Sequence, residues 1–297
     1  MENKLPSPAK RLALGTVQFG LPYGVANKRG QVSQGEAHQI LKLARSHSLE
    51  MIDTAIGYGD SESCLGAIGV PDYKIVSKLP PMPEDITNIE EWVLDQVKAS
   101  LNRLNVSQLH GLLLHRPLEL LGANGQSLYN AMLEAQNLSL TRKIGISVYS
   151  PDELESLFAQ FTFDLVQGPL NLIDRRLFES GWLSRLKERN VEIHTRSTFL
   201  QGLLLIPEQE RPSKFSKWDN LWREWHQWLD INTETALKAS VAYPLSLPEI
   251  DHVLVGADSV IQMQQILRAL PQGEKIELPS ISSTDELLIN PANWPGL

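Results

Sequence analysis

Apolar residues along this chain follow two alternating patterns. Short apolar runs that stop at polar residues or glycine are separated by longer stretches in which apolar positions recur every three or four residues. The runs predict strands and the stretches predict amphipathic helices. Leu12 to Thr16 predicts the first strand, and a glycine-bearing loop from Gly20 to Gly30 follows it. From Gln34 to Ser48, Ala37, Ile40, Leu41 and Ala44 share a helical face. Met51 to Asp53 predicts a second strand, Ser61 to Ile68 a short helix and Lys74 to Leu79 a third strand. Between Asn88 and Leu104, residues Ile89, Trp92, Val93, Val97, Leu101 and Leu104 form a continuous apolar stripe.

The alternation continues to the end of the chain. Strands are predicted at Leu109 to His115, Lys143 to Val148, Asp164 to Gln167, Val191 to Ser197 and Asp251 to Val255. Helices are predicted at Ser127 to Ala135, Pro151 to Phe158, Gly181 to Arg189 and Ser259 to Leu270. Lys214 to Ala242 is too long for one ordinary helix, and Asp230-Ile231-Asn232-Thr233 predicts a break with a fresh N-cap. Eight strands alternating with helices, several apolar enough to be buried on both faces, predict an α/β fold of the (β/α)8 TIM barrel type. We expect one barrel domain over 1–297 with a C-terminal tail from about residue 271. A doubly wound sheet is the competing architecture, but Gly15-Thr16-Val17-Gln18-Phe19-Gly20 is not the GxGxxG phosphate loop that would follow its first strand.

Composition narrows the function classes. With 42% hydrophobic residues and no apolar run long enough to span a bilayer, no membrane segment is expected. A net charge of −8 argues against general affinity for nucleic-acid phosphates. No secretory signal pattern opens the chain, so a cytoplasmic location is expected, and the Asn105 and Asn137 glycosylation patterns carry no consequence. Cys64, the sole cysteine, excludes an internal disulfide or a cysteine-rich metal site and reads as a small buried residue. Trp218, Trp222, Trp225 and Trp228 lie at helical spacing, which fits a helix packed on the barrel; a sugar-binding platform is the alternative.

Candidate chemistry gathers at the ends of three successive strands. Asp53 closes the second, Lys78 falls at the end of the third and His115 closes the fourth, while Gly57, Gly59 and Asp60 leave Tyr58 on a loop. Active sites of barrels are built at these C-terminal ends. A phenol has an ordinary pKa of about 10, so a catalytic tyrosine needs a cation to stabilise its phenolate. Lys78 is a candidate for that cation and Asp53 for its partner. Taken singly, Asp53 and Lys78 would be read as a structural ion pair and His115 as a histidine satisfied at a strand end.

Asp53-Thr54-Ala55, Tyr58-Gly59, Ser61-Glu62, Ser77-Lys78 and His115-Arg116-Pro117 together resemble the motifs of the aldo-keto reductase superfamily. The resemblance extends over nearly the whole chain and implies the same barrel. It implies a catalytic tetrad in which Tyr58 is the general acid, Lys78 and Asp53 tune it, and His115 orients a substrate carbonyl. It also implies reduction of an aldehyde or ketone by NADP(H), the family default, with a small-molecule carbonyl substrate and no metal. Cofactor-binding positions carried over are Gly15, Thr16, Ser147, Gln167, Asn171, Arg196, Gly202, Leu203, Gly256, Asp258 and Gln262.

Three positions in and beside that set depart from the family pattern. Val148 replaces the usual Asn after Ser147, and Arg196 stands where a tyrosine commonly stacks on nicotinamide. A guanidinium can still stack, or it can turn outward into a surface ion pair. Asp258 replaces a Lys or Arg that meets the 2′-phosphate of NADPH, which makes NAD(H) a candidate cofactor. Alternatively Asp258 points to solvent or caps the Ser259 to Leu270 helix while Arg268, Lys275 or another basic residue meets the phosphate. Pro291-Ala292-Asn293-Trp294 resembles tails that border the substrate pocket in some family members. A second functional class, a nucleotide-bound regulatory or scaffolding barrel with little turnover, shares these features, and the intact tetrad argues against it.

Overall fold

A computed structural model describes residues 6–272 and 277–296. Its eight strands are β1 Leu12–Gly15, β2 Met51–Asp53, β3 Lys74–Leu79, β4 Leu109–Leu114, β5 Thr141–Ser147, β6 Leu165–Pro169, β7 Glu192–Arg196 and β8 His252–Val255. All neighbours are parallel, and the strands close in chain order into a barrel. Closure is made by β1 and β8, with Leu12 opposite Val253 and Leu14 opposite Val255. The (β/α)8 expectation is met.

Strand alternation sorts the barrel interior into tiers. Ala13, Met51, Val76, Leu113, Leu165 and Leu254 form a separate apolar cluster inside the barrel. Residues two positions further along β2, β3 and β6 point to the same side and lie one tier higher. These are Asp53, Lys78 and Gln167, all buried. Two positions before Val76, Gly145, His194 and Leu254 come Lys74, Lys143, Glu192 and His252, a polar tier at the N-terminal mouth. The apolar cluster therefore separates two polar ends of the barrel. Residues of opposite parity, such as Leu12, Ile52, Ile75, Leu112, Ile144 and Ile193, pack outward against the helices in the main core.

The long helical segment divides as expected, though the cap lies slightly later. A 3-10 turn at Ser213–Trp218 leads into a helix at Asp219–Asn232. Thr233 ends that helix in the left-handed region at φ 53°, and Thr235 caps the next, Ala236–Ser246, by accepting from Lys238 N. Trp222 and Trp225 are buried, their indole N–H groups donating to the Phe215 and Leu204 carbonyls. Trp218 is 9% exposed and donates to Asp285. The tryptophan stripe is thus packing surface, not an exposed sugar platform. Short helices at Arg176–Glu179 and Glu286–Ile289 lack a full apolar period and escape a reading by periodicity. Among the described residues no helix is long and apolar enough to cross a membrane.

Candidate active site

The β2 loop is fixed by backbone contacts before its side chains act. Thr54 N donates to Val76 O at 2.9 Å, Ile56 N to Lys78 O at 3.1 Å and Tyr58 N to Ala55 O at 3.0 Å. Gly20 lies so close that an added Cβ would stand 1.8 Å from Tyr58 O, and Gly59 at φ +54° places its own added Cβ 2.5 Å from Gly20 O. A side chain at either position would push the Tyr58 loop off the barrel. Ser61 Oγ lies 2.8 Å from Thr16 O and 3.1 Å from Thr54 Oγ1. The buried Glu62 carboxylate accepts from Ser77 Oγ and Ser100 Oγ, both at 2.6 Å, and from Arg103 Nε at 2.9 Å. The Ser61-Glu62 and Ser77 motif positions therefore brace the loop from outside the cavity.

Asp53, Tyr58, Lys78 and His115 meet at the C-terminal mouth. Lys78 Nζ donates to Asp53 Oδ1 at 2.6 Å and to Thr54 O at 2.8 Å. It lies 5.1 Å from the centre of the Tyr58 ring, whose edge-on contact with the His115 ring spans 5.8 Å. Burial and the Asp53 charge raise the Tyr58 pKa above its ordinary value, with Arg196 opposing. The resting phenol is thus held neutral, and the Lys78 ammonium beside its ring is engaged by Asp53 and the Thr54 carbonyl. Burial also pulls the Lys78 pKa down, against the pull of Asp53. His115 is lowered to about 4 by burial and by the Lys78 and Arg196 cations.

A cavity of about 550 Å³ opens above these residues. Among the cofactor candidates it is lined by Gly15, Thr16, Ser147, Gln167, Arg196, Gly202, Gly256, Asp258 and Gln262. Gln167 is engaged from both ends: its Nε2 donates to Asp53 Oδ2 at 2.7 Å, and its Oε1 lies 3.5 Å from Ser147 Oγ. Arg196 is not turned outward. It donates to Val148 O at 3.0 Å and lies 4.7 Å from the centre of the Tyr149 ring.

Asn171 and Leu203 are not brought to the cavity. Asn171 Oδ1 accepts from Ile173 N and Asp174 N, and its Nδ2 donates to Ser197 O, so the side chain is spent on its own loop and on the loop after β7. Leu203 is fully buried in the core. Ser259, not Asp258, caps the Val260–Arg268 helix by accepting from Gln262 N. Asp258 Oδ1 is buried without a hydrogen-bond partner among the described residues, and burial raises the carboxyl pKa while a hydrogen bond with Gln262 and the Arg29 charge oppose. Lys275 lies outside the described residues. Sequence reasoning missed Tyr23, Tyr149 and Asn290, all on the cavity wall. Glycine neighbours at Gly24 and the tail motif after Asn290 were the available signals.

Residues 11–285 match the Aldo/keto reductase family, and this chain belongs to that family. It is 28% identical over 131 residues to an aldo-keto reductase of Mycolicibacterium vanbaalenii, covering 43% of this chain and 46% of that protein. It is 24% identical over 209 residues to the aldo-keto reductase YhdN of Bacillus subtilis, covering 66% and 60% respectively. The chain thus spans roughly half the length of the curated relatives it matches. Its fold is similar to that of the holo form of aldo-keto reductase AKR11C1 from Bacillus halodurans, with a TM-score of 0.71 at 18% identity over 90% of this chain and 88% of that one.

Proposed function

We propose that this protein is an NAD(P)H-dependent carbonyl reductase in which Tyr58 is the general acid. Its barrel, tail included from about residue 271, works as one unit. The observation that carries this reading is the meeting of Asp53, Tyr58, Lys78 and His115 at one end of a cavity that extends to the N-terminus of the Val260–Arg268 helix. A dinucleotide suits such a site. Helix N-termini bind phosphates, and Gly256 and Gly202 line the cavity packed close against Gln18 and Ala26, where an added Cβ would stand 2.3 Å from Gln18 Nε2 and 2.6 Å from Ala26 Cβ. The unpartnered Asp258 oxygen is an acceptor waiting for a donor. Ser147 and Gln167 would hold the nicotinamide end. Bound reduced nicotinamide would supply the hydride.

In this reading the chain's own work is proton delivery and charge placement. Tyr58 holds its proton through the resting state and releases it to the carbonyl oxygen only as negative charge develops there. The neutral imidazole of His115 donates a hydrogen bond to the same oxygen. Lys78, fixed by Asp53, supplies positive potential beneath both. Asn290, Pro291 and Ala292 bring the C-terminal tail to the cavity wall, where it would contact the substrate. The test is a nicotinamide fluorescence titration with both reduced cofactors, followed by an aldehyde panel on whichever binds. Binding without turnover would replace the enzyme reading with a nucleotide-bound regulatory barrel.

The proton inventory predicts a flat pH profile. Tyr58 is raised and His115 is lowered to about 4, so neither changes charge near neutrality. Reductive kcat is expected to be constant around neutrality, with a fall on the acid side as His115 protonates and on the basic side as Lys78, whose pKa burial lowers, gives up its charge. The same shift has a stability sign. Unfolded histidine takes up a proton below about pH 6.5 while folded His115 does not, so this group destabilises the fold progressively as pH falls from there towards 4. A kcat that follows an ionisation near pH 7 would remove His115 from the oxyanion role.

Asp258 predicts weak discrimination against NADH. A carboxylate repels a 2′-phosphate and accepts a hydrogen bond from a free 2′-hydroxyl. Asp258→Arg is expected to raise affinity for NADPH relative to NADH by roughly tenfold, equivalent to about 1.4 kcal/mol. Dissociation constants for both cofactors in both proteins measure it. A strong wild-type preference for NADPH that the substitution does not increase would shift the assignment to Arg29, the cation already felt by Asp258.

A further inference from the structure

The N-terminal mouth of the barrel holds a second concentration of chemistry, on the far side of the apolar tier from the cavity. Glu192 and His194 come from β7 and His252 from β8, and His194 stands opposite His252 in the strand register. One carboxylate oxygen of Glu192 and one ring nitrogen of each histidine all lie within 4.8 Å of one another. His110 of β4 reaches the same carboxylate, its Nε2 at 3.0 Å from Oε1 and 3.1 Å from Oε2. Three imidazoles from three strands thus surround one carboxylate. His194 stands opposite Gln167 in the strand register, and none of the three histidines lines the cavity at the C-terminal mouth.

Hydrogen bonding within the cluster is incomplete. His194 is fully buried and its Nε2 lies 2.6 Å from Glu192 Oε1, yet its Nδ1 has no partner among the described residues. His252 Nδ1 is likewise buried and unpartnered. Buried imidazole nitrogens without partners forgo the hydrogen bonds that water would give them and call for a group that uses them. The cluster is also accessible, because a cavity of about 380 Å³ opens beside it and is lined by Glu192, His252, His110 and Lys143.

We propose that Glu192, His194 and His252 form a binding site for a late first-row divalent cation such as zinc, with His110 available as a fourth ligand. Neutral imidazoles and a carboxylate are the donor set this class of cation selects, and two histidines with one carboxylate complete three corners of a tetrahedron. Zinc bonds of 2.0–2.2 Å require ligand atoms about 3.3 Å apart, so the cluster tightens modestly on binding. Calcium and magnesium prefer sets of oxygen donors and fit poorly. Lys143 is the local competitor, since its ammonium pairs with Glu192. Its side chain is 33% exposed, so it can swing to solvent when a cation takes the carboxylate. Lys187 is held by Asp251 at 2.7 Å and does not contest the site. The ion would cross-link β7 to β8 at the end of β7 opposite Arg196. This inference is independent of the reductase reading.

The test uses the full chain, stripped with a chelator and dialysed, then titrated with zinc chloride against a chromophoric zinc indicator. Uptake of one equivalent per chain is expected, and cobalt substitution should give the visible absorption of a tetrahedral site. His252→Gln is expected to weaken zinc at least tenfold. Lys143→Met, at a partly exposed position, is expected to tighten it severalfold and gives a reading even where His252→Gln fails to fold. Surface histidines such as His38 and His47 would bind weakly and survive both changes. The proposal is overturned by absence of stoichiometric uptake, by uptake that folded His252→Gln leaves unmoved, or by weaker uptake in Lys143→Met.

Discussion

Tyr58→Phe is expected to lower kcat for aldehyde reduction by about two to four orders of magnitude, the usual worth of a positioned general acid. The substitution removes one hydroxyl and keeps the ring. The edge-on contact with His115 at 5.8 Å and the Lys78 ammonium 5.1 Å from the ring centre are both available to phenylalanine. The dissociation constant for reduced nicotinamide should therefore stay unchanged, and the loss should fall on kcat. Stopped-flow reduction of a reactive aldehyde together with fluorescence titration of the cofactor separates the two. Near wild-type turnover would move the acid elsewhere, and Tyr23 and Tyr149 are the other phenols on the cavity wall. A parallel loss of cofactor affinity would make Tyr58 a wall residue of the binding site.

How much of this was readable from the chain depends on the range of the interaction. The strands were legible because each is short, apolar and buried, and because polar or glycine residues stop it. Asp53 and Lys78 were legible as a pair because both end strands that are neighbours in sequence and in the barrel. Asp53 to Gln167 was not, since it joins residues 114 positions apart across the barrel interior. The position of Gln167 suggested a nicotinamide contact, whereas the folded chain also spends its amide on orienting Asp53. Asn171 lies off the cavity wall because its side chain is spent on Ile173 N, Asp174 N and the Ser197 carbonyl of the loop after β7, and no periodicity reports that. Arg196 offered two orientations in sequence, and the Tyr149 ring and the Val148 carbonyl, neither readable from spacing, hold it at the cavity wall. The Glu192, His194 and His252 cluster was invisible because His252 follows His194 by 58 residues, and only barrel closure makes them neighbours.

Lys78→Met should be the most damaging single change at the site, because it strikes stability and chemistry together. The Lys78 and Asp53 side chains are 1% and 4% exposed, so the substitution leaves a buried carboxylate whose cation is gone. Removing one partner of such a pair costs roughly 3–5 kcal/mol, a large share of a domain's stability. Gln167 still donates to Asp53 Oδ2, but one neutral hydrogen bond does not replace an ammonium. Turnover should fall to a level comparable with Tyr58→Phe, since the developing alkoxide loses the cation beneath the acid. Instability and lost chemistry are separated by adding Asp53→Asn. An asparagine oxygen can still accept from Gln167 Nε2, while the uncompensated charge disappears. The double variant is therefore expected to regain most of the unfolding free energy and none of the activity. Urea unfolding of the two variants beside wild type gives the first result, and single-turnover reduction gives the second. If the double variant recovered activity along with stability, Lys78 and Asp53 would be a structural ion pair and the cation would have no part in proton delivery.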